Sequence, residues 1–474
     1  MTAIKNQASQ SVFWSAIERF STQGVQFVLG MIVARLLHPS DYGIIAMLSI
    51  FIAIAQTFID GGFINALIQK KQCSQQDYST VFFFNIFMSI ALYGIIYSCA
   101  PWIATFYEEK LLTQVMRVIG LTLIINSLGI VQQAKLTIEL NFKQQARASF
   151  IAVVISGIAG VLLAYQGLGV WTLVIQTLTN NILRIILLWI FSRWKPLCCF
   201  SRNSFTTMFS FGSRLLLSSL LHTIYTNLYS LIIGKKFAPV ELGFYNRAIT
   251  IAQFPSNNLA SVIVRAVYPI QCKIQDDTPA LKELFTKYLR MACYIIFPLM
   301  ITLCVLAEPL VKILLTEKWL PAVPLIQILC IAYMWDPVMK INNSLLNVKG
   351  RSDYFLYAEI IKKVIALTIL TITLQFNIRI MCFGLILYAF TDMLIISIYV
   401  RKTIGITIKQ QVKALFPILI LSIMSGFVSY LTVMLISNSW FQLAGGFITG
   451  SLIYLFFSYY FNFHELKLLL HFKL

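Results

Sequence analysis

The stretch His38-Pro39-Ser40-Asp41-Tyr42-Gly43 follows the first long apolar segment of the chain, and Ala238-Pro239-Val240-Glu241-Leu242-Gly243 follows the seventh. Both read Pro-x-acidic-x-Gly, with a basic residue four places before the proline (Arg35 and Lys235), at an offset of 200 residues. A second echo, Leu140-Asn141-Phe142-Lys143 and Leu346-Asn347-Val348-Lys349, follows the fourth and tenth segments at an offset of 206. Two echoes in the same order at nearly one offset predict two six-helix lobes, residues 1–200 and 201–404, with two more helices in 405–474. Six is an even number, so both lobes run in the same direction and the repeat is parallel rather than inverted.

The segments between these landmarks are membrane-like. Of 474 residues, 58% are hydrophobic and 12% charged, with a mean hydropathy of +0.79; ordinary soluble chains carry about 25% charged residues. So few charges cannot coat several soluble domains, which excludes a soluble multidomain enzyme. The 36 Phe, 21 Tyr and 8 Trp exclude a disordered chain. A spanning helix takes about 20 residues and a short loop about 10, so the length holds roughly fourteen spans. Apolar segments recur at about 10–37, 41–68, 77–105, 112–135, 146–166, 169–192, 204–233, 241–268, 284–306, 321–347, 352–375, 380–400, 411–436 and 440–462. The polar stretches Cys198–Thr207 and Gln271–Lys282 are too short to be domains. The polar start and the Glu18-Arg19 interruption do not read as a cleavable signal. Nine cysteines without a C-x-x-C pair argue against a metal site or a disulfide framework, and no cofactor is expected. With the N-terminus inside, loops on that side collect nineteen of the 37 Lys and Arg and the opposite loops seven. This predicts that both termini are cytoplasmic, and it accounts for much of the net charge of +19 without nucleic acid.

The run Ala34-Arg35-Leu36-Leu37-His38-Pro39-Ser40-Asp41-Tyr42-Gly43, the polar-striped first helix before it and the polar Gln56-to-Gly62 end of the second segment resemble the Wzx-type polysaccharide flippases, nearest to the colanic-acid-exporter-like branch. That superfamily also holds the MATE drug exporters and the lipid II flippase MurJ. The resemblance covers essentially the whole chain, most closely residues 10–70 and 205–270. It implies an all-α polytopic protein with two bundles in a V around a central cavity. It implies translocation of undecaprenyl-pyrophosphate-linked oligosaccharide across the bacterial inner membrane by alternating access, with polymerase and other polysaccharide-assembly proteins as partners.

Charges inside apolar segments are then the candidate site residues, because a charge at mid-bilayer costs at least about 2.5–3.5 kcal/mol unless it faces a cavity or a partner. Glu18, Thr22 and Gln26 recur at helical spacing beside Arg19 and Gln23, and Arg214, Ser218, His222 and Thr226 repeat such a stripe on the seventh segment. At about 1.5 Å per residue, Arg19, Arg214, Asp60, Asp336 and Lys340 lie roughly 10–16 Å from the cytoplasmic ends of their helices. Arg19, Arg214 and Arg247 suit a pyrophosphate, since a guanidinium offers a bidentate fork. Lys340, Gln23, Gln26 and His222 are further contacts to substrate. Glu18, Asp60 and Asp336 are counter-ions or a coupling-ion site, and Asp336 with Lys340 also reads as an i,i+4 pair. His222 reads as a hydrogen-bonded helix–helix contact before a titrating switch. Arg290 reads as snorkelling, Lys362-Lys363 as interfacial or as a second headgroup contact, and Trp102, Tyr107, Trp194, Trp319 and Trp440 as interface anchors.

Four bases against three acids only weakly favour an anionic cargo, so a MATE-like exporter of small organic cations stays open as the alternative. A glycan polymerase or ligase is disfavoured by the short loops, and no Walker motif is present.

Overall fold

The structure, a computed structural model, describes residues 22–471 apart from 62, 65–66, 68–72 and 140, and among the described residues it is helical with no strand. The long helices are α1 (Thr22–Leu36), α2 (Pro39–Asp60), α3 (Gln75–Tyr107), α4 (Leu111–Ile138, broken), α5 (Phe142–Tyr165), α6 (Val170–Ser192), α7 (Arg202–Lys236), α8 (Pro239–Lys273), α9 (Thr278–Val305), α10 (Glu317–Val348, broken), α11 (Ser352–Thr373), α12 (Ile378–Ile404), α13 (Ile408–Leu435) and α14 (Ser439–Tyr460). Two short helices, Ala307–Leu314 and His464–His471, lie between and after them. Most helix ends fall within a turn or two of the apolar segments read from the sequence. Among the described residues ten helices, α2–α6, α9, α10 and α12–α14, are long and apolar enough to cross a membrane, and the chain is a multi-pass membrane protein. The 35-residue α7 and α8 are more polar.

Local chemistry sets the helix boundaries. His38 caps α2 from extended backbone, Pro39 occupies the first turn where its missing N–H is no loss, and the Asp41 carboxylate accepts from His38 N–H at 3.0 Å. Gly61 ends the helix at φ 46°, a conformation a side chain would strain. Ser74 with Asp77 boxes the start of α3, and Thr407 with Gln410 that of α13.

The chain divides into two compact units, joined between Gly243 and Phe244 near the start of α8. In the first, Phe63, Phe82, Val131, Trp194 and Met208 form a core drawn from α3, α4, α7 and their connections, with Phe82 edge-on to Trp189 and Trp194. In the second, small residues let α13 and α14 approach their neighbours closely, as helices do where lipid gives no hydrophobic drive to associate. A Cβ on Gly426 would strike Ile301 of α9, and one on Gly446 would strike Leu306. Tyr454 Oη donates to Tyr294 O at 2.8 Å. Gly426→Leu is therefore expected to pry α13 from α9 and destabilise the fold by about 1–3 kcal/mol, read as earlier thermal unfolding in detergent.

Candidate functional site

The two Pro-x-acidic-x-Gly corners touch. A Cβ on Gly43 would overlap the carbonyl oxygen of Pro239, and one on Gly243 would overlap that of Pro39. Each glycine thus receives the other corner's first-turn carbonyl against its bare Cα, an approach that only glycine permits. The echo in the sequence is a reciprocal backbone contact in space. Behind it, α2 packs along α7, with Thr57 and Thr223 hydroxyls 3.1 Å apart. Lys235, at the end of α7, donates to Phe106 O at 2.6 Å and pairs with Glu108 at 3.0 Å.

A second correspondence joins α2 to α4 in the first unit and α8 to α10 in the second. Asp60 accepts from Gln56 Nε2 at 2.9 Å, and Gln56 Oε1 accepts from Asn126 Nδ2 of α4 at 3.2 Å. Two hundred residues on, Ser256 of α8 lies 2.7 Å from Tyr333 O and 3.2 Å from Asp336 Oδ2 of α10. Both partner helices are broken beside these contacts, α4 at Leu128-Gly129 and α10 at Met334-Trp335. A broken helix frees carbonyls that lipid cannot satisfy. Here Leu128 O accepts from Trp189 Nε1 at 2.9 Å, and Tyr333 O accepts from Ser256. Irregular backbone with polar side chains at its break is how transporters line substrate and ion paths.

Asp336 and Lys340, four residues apart on α10, both also turn to α8, Asp336 toward Ser256. Lys340 Nζ donates across to α8, to Asn257 O and Ser261 Oγ at 3.2 Å each and to Asn257 Oδ1. Glu18 and Arg19 lie outside the described residues, as does the side chain of Arg214 on α7. Gln23 is half-buried, with its Oε1 lacking a partner among the described residues, while Gln26 and His222 are exposed. His222 contributes its carbonyl, which accepts from Thr226 Oγ1 at 3.0 Å.

Arg247 is covered. It is 7% exposed, with its guanidinium carbon 5.6 Å from the ring centroid of Trp319, which is itself fully buried. Trp319 is thus no interface anchor but the aromatic face of a desolvated cation–π contact. Trp194 and Tyr107 are buried too, whereas Trp102 and Trp440 are exposed as anchors should be. Two further readings are corrected. Arg290 does not snorkel: it binds Glu465 through Nε at 2.5 Å and Ala414 O at 2.9 Å. Lys362 is not interfacial: it is 1% exposed, between Asp392 of α12 and Glu359, both at 2.9 Å. Both partner carboxylates were missed. Glu359 was visible at i−3 from Lys362, but Asp392 sits thirty residues away in another apolar run, and only the packing of α11 on α12 brings it near.

The family model described as polysaccharide biosynthesis protein matches residues 32–324. The chain is 26% identical over 359 residues to the teichuronic acid biosynthesis protein TuaB of Bacillus subtilis, covering 75% of this chain and 74% of that protein. It is 27% identical over 353 residues to the lipopolysaccharide biosynthesis protein WzxC of Escherichia coli, covering 74% and 72%. Its fold is similar to that of the lipid II flippase MurJ in an inward closed conformation, with TM-score 0.79 and 16% identity over 95% of this chain and 98% of that one. It is less similar to an inward-facing MATE-family multidrug transporter, with TM-score 0.63 and 13% identity over 82% and 98%.

Proposed function

Because the chain belongs to the polysaccharide biosynthesis protein family, we propose that it is a flippase moving undecaprenyl-pyrophosphate-linked oligosaccharide from the cytoplasmic to the periplasmic leaflet of a bacterial inner membrane. The reading is carried by the family match and by relatives named for teichuronic acid and lipopolysaccharide biosynthesis, together with a MurJ-like all-α fold. The greater likeness to MurJ than to the MATE transporter favours a lipid-linked cargo over a small organic cation.

The mechanism we propose is alternating access by two parallel six-helix lobes, with fourteen spans in all and both termini cytoplasmic. The headgroup crosses through the protein while the polyprenyl tail stays in lipid. Arg19 and Arg214 replace water around the pyrophosphate, and Gln23, Gln26, His222 and Lys340 offer polar contacts to phosphate or sugar. Arg247 joins them only when Trp319 uncovers it. The membrane potential favours outward movement of an anion by about 2.3 kcal/mol per charge per 100 mV, unless a counter-ion bound at Glu18, Asp60 or Asp336 offsets it. The reciprocal glycine corners, on the side opposite the basic loops, are the outer gate, which parts when the cargo leaves. The polymerase that elongates the repeat unit is the expected partner at that face.

The test is complementation of a strain lacking the chain. Arg19→Ala and Arg214→Ala, each at wild-type abundance, are expected to cut surface polysaccharide at least tenfold. Undiminished polysaccharide in both would remove their assigned role. Efflux of organic cations with normal polysaccharide in the deletion strain would instead support the exporter reading.

A further inference from the structure

We infer that the second unit carries a binding site for an anionic glycerophospholipid of the surrounding bilayer, built from two pockets that meet at Arg290 and His464. One, of about 600 Å³, lies among the start of α9, the connection from α12 to α13 and the helix His464–His471. The other, of about 550 Å³, runs along α13 past Pro417, Leu421 and Met424 to Phe463. Arg290 and His464 line both.

The first pocket sets basic side chains around a largely apolar lining. Glu283, Thr286, Lys287 and Arg290 recur at helical spacing on one face of α9 and turn into it. Lys282 stands beside them, its Nζ against Gly405. Arg290 is neutralised by Glu465, which leaves Lys282 and Lys287 facing the single carboxylate of Glu283. The start of α13 adds its positive helix end. Gln411, 4% exposed, also lines this pocket, with its Oε1 accepting from Asn342 at 3.1 Å.

The second pocket continues from the same arginine into apolar surface of α13. A free phosphate compound would use only the first pocket, and a neutral lipid only the second. Both are used by an amphipath with an anionic phosphodiester head and an acyl chain. The basic loops place the head at the cytoplasmic leaflet. This inference stands apart from the nature of the cargo.

The test compares thermal unfolding of the full chain in mixed micelles containing phosphatidylglycerol, phosphatidylcholine or neither, and with inorganic phosphate added. Phosphatidylglycerol is expected to raise the midpoint by several degrees over phosphatidylcholine, and inorganic phosphate to leave it unchanged. The Lys282→Gln/Lys287→Gln double variant and Met424→Trp, which fills the apolar groove, are each expected to erase that difference between lipids, whatever they do to the midpoint itself. Equal response to both lipids would overturn the site. So would a shift reproduced by inorganic phosphate, a shift seen with undecaprenyl phosphate but not phosphatidylglycerol, or a lipid difference surviving both variants.

Discussion

Gly43→Ala is expected to abolish or sharply reduce surface polysaccharide in complemented cells, although it adds a single methyl group. The methyl lands on the backbone carbonyl of Pro239, which has no rotamer to escape into. Such overpacking costs about 1–3 kcal/mol, and 1.4 kcal/mol is tenfold in population. The corner-closed arrangement would therefore lose about 5- to 160-fold in population to alternatives. A transporter that must visit both arrangements cannot absorb that. Gly243→Ala, which strikes Pro39, should match it. Gly94→Ala is the control: it sits within α3 with nothing near its Cβ position and should export normally. Export at wild-type levels by Gly43→Ala would show that the corners are not a gate.

Asp392→Leu is expected to have the largest effect on stability, about 3–5 kcal/mol. Lys362 lies roughly 15 Å from either end of α11, 1% exposed, and Asp392 is one of the two carboxylates it touches. Removing Asp392 leaves an ammonium buried against a half-exposed Glu359. The double variant Lys362→Met/Asp392→Leu removes both charges and fills similar volume, so it should recover most of the loss. Thermal unfolding in detergent reads both. A double variant no better than the single would show that the pair is not the source of the loss.

These two sites differ in how far they were legible. The Pro-x-acidic-x-Gly echo was plain in the sequence because it is local, and the same is true of the helices, whose apolar runs exceed a bilayer's thickness. Contact between the echoes was not legible, since glycine spacing says nothing about which backbone arrives there. Lys362 could be seen as an unusual charge, but its burial depended on Asp392. Arg290 and Glu465, separated by 175 residues, and Arg247 with Trp319 were hidden for the same reason. Arg290, Lys362 and Trp319 looked like interfacial residues when read alone, because long basic side chains and tryptophans do gather at interfaces. What distinguishes a snorkelling arginine from a buried one is its partner, and a partner on another helix leaves no periodic trace. The polar stripe on α7 shows the converse. His222 is legible as part of a face and is exposed.

Outward movement of a lipid-linked oligosaccharide is read from the sidedness of that intermediate. In spheroplasts of a strain lacking the chain, undecaprenyl-linked repeat units should accumulate shielded from an added lectin or periodate, and re-expression should expose them within the labelling time. Repeat units that build up already exposed on the outer leaflet in the deletion strain would rule out a flippase role, since translocation would then be complete without this protein.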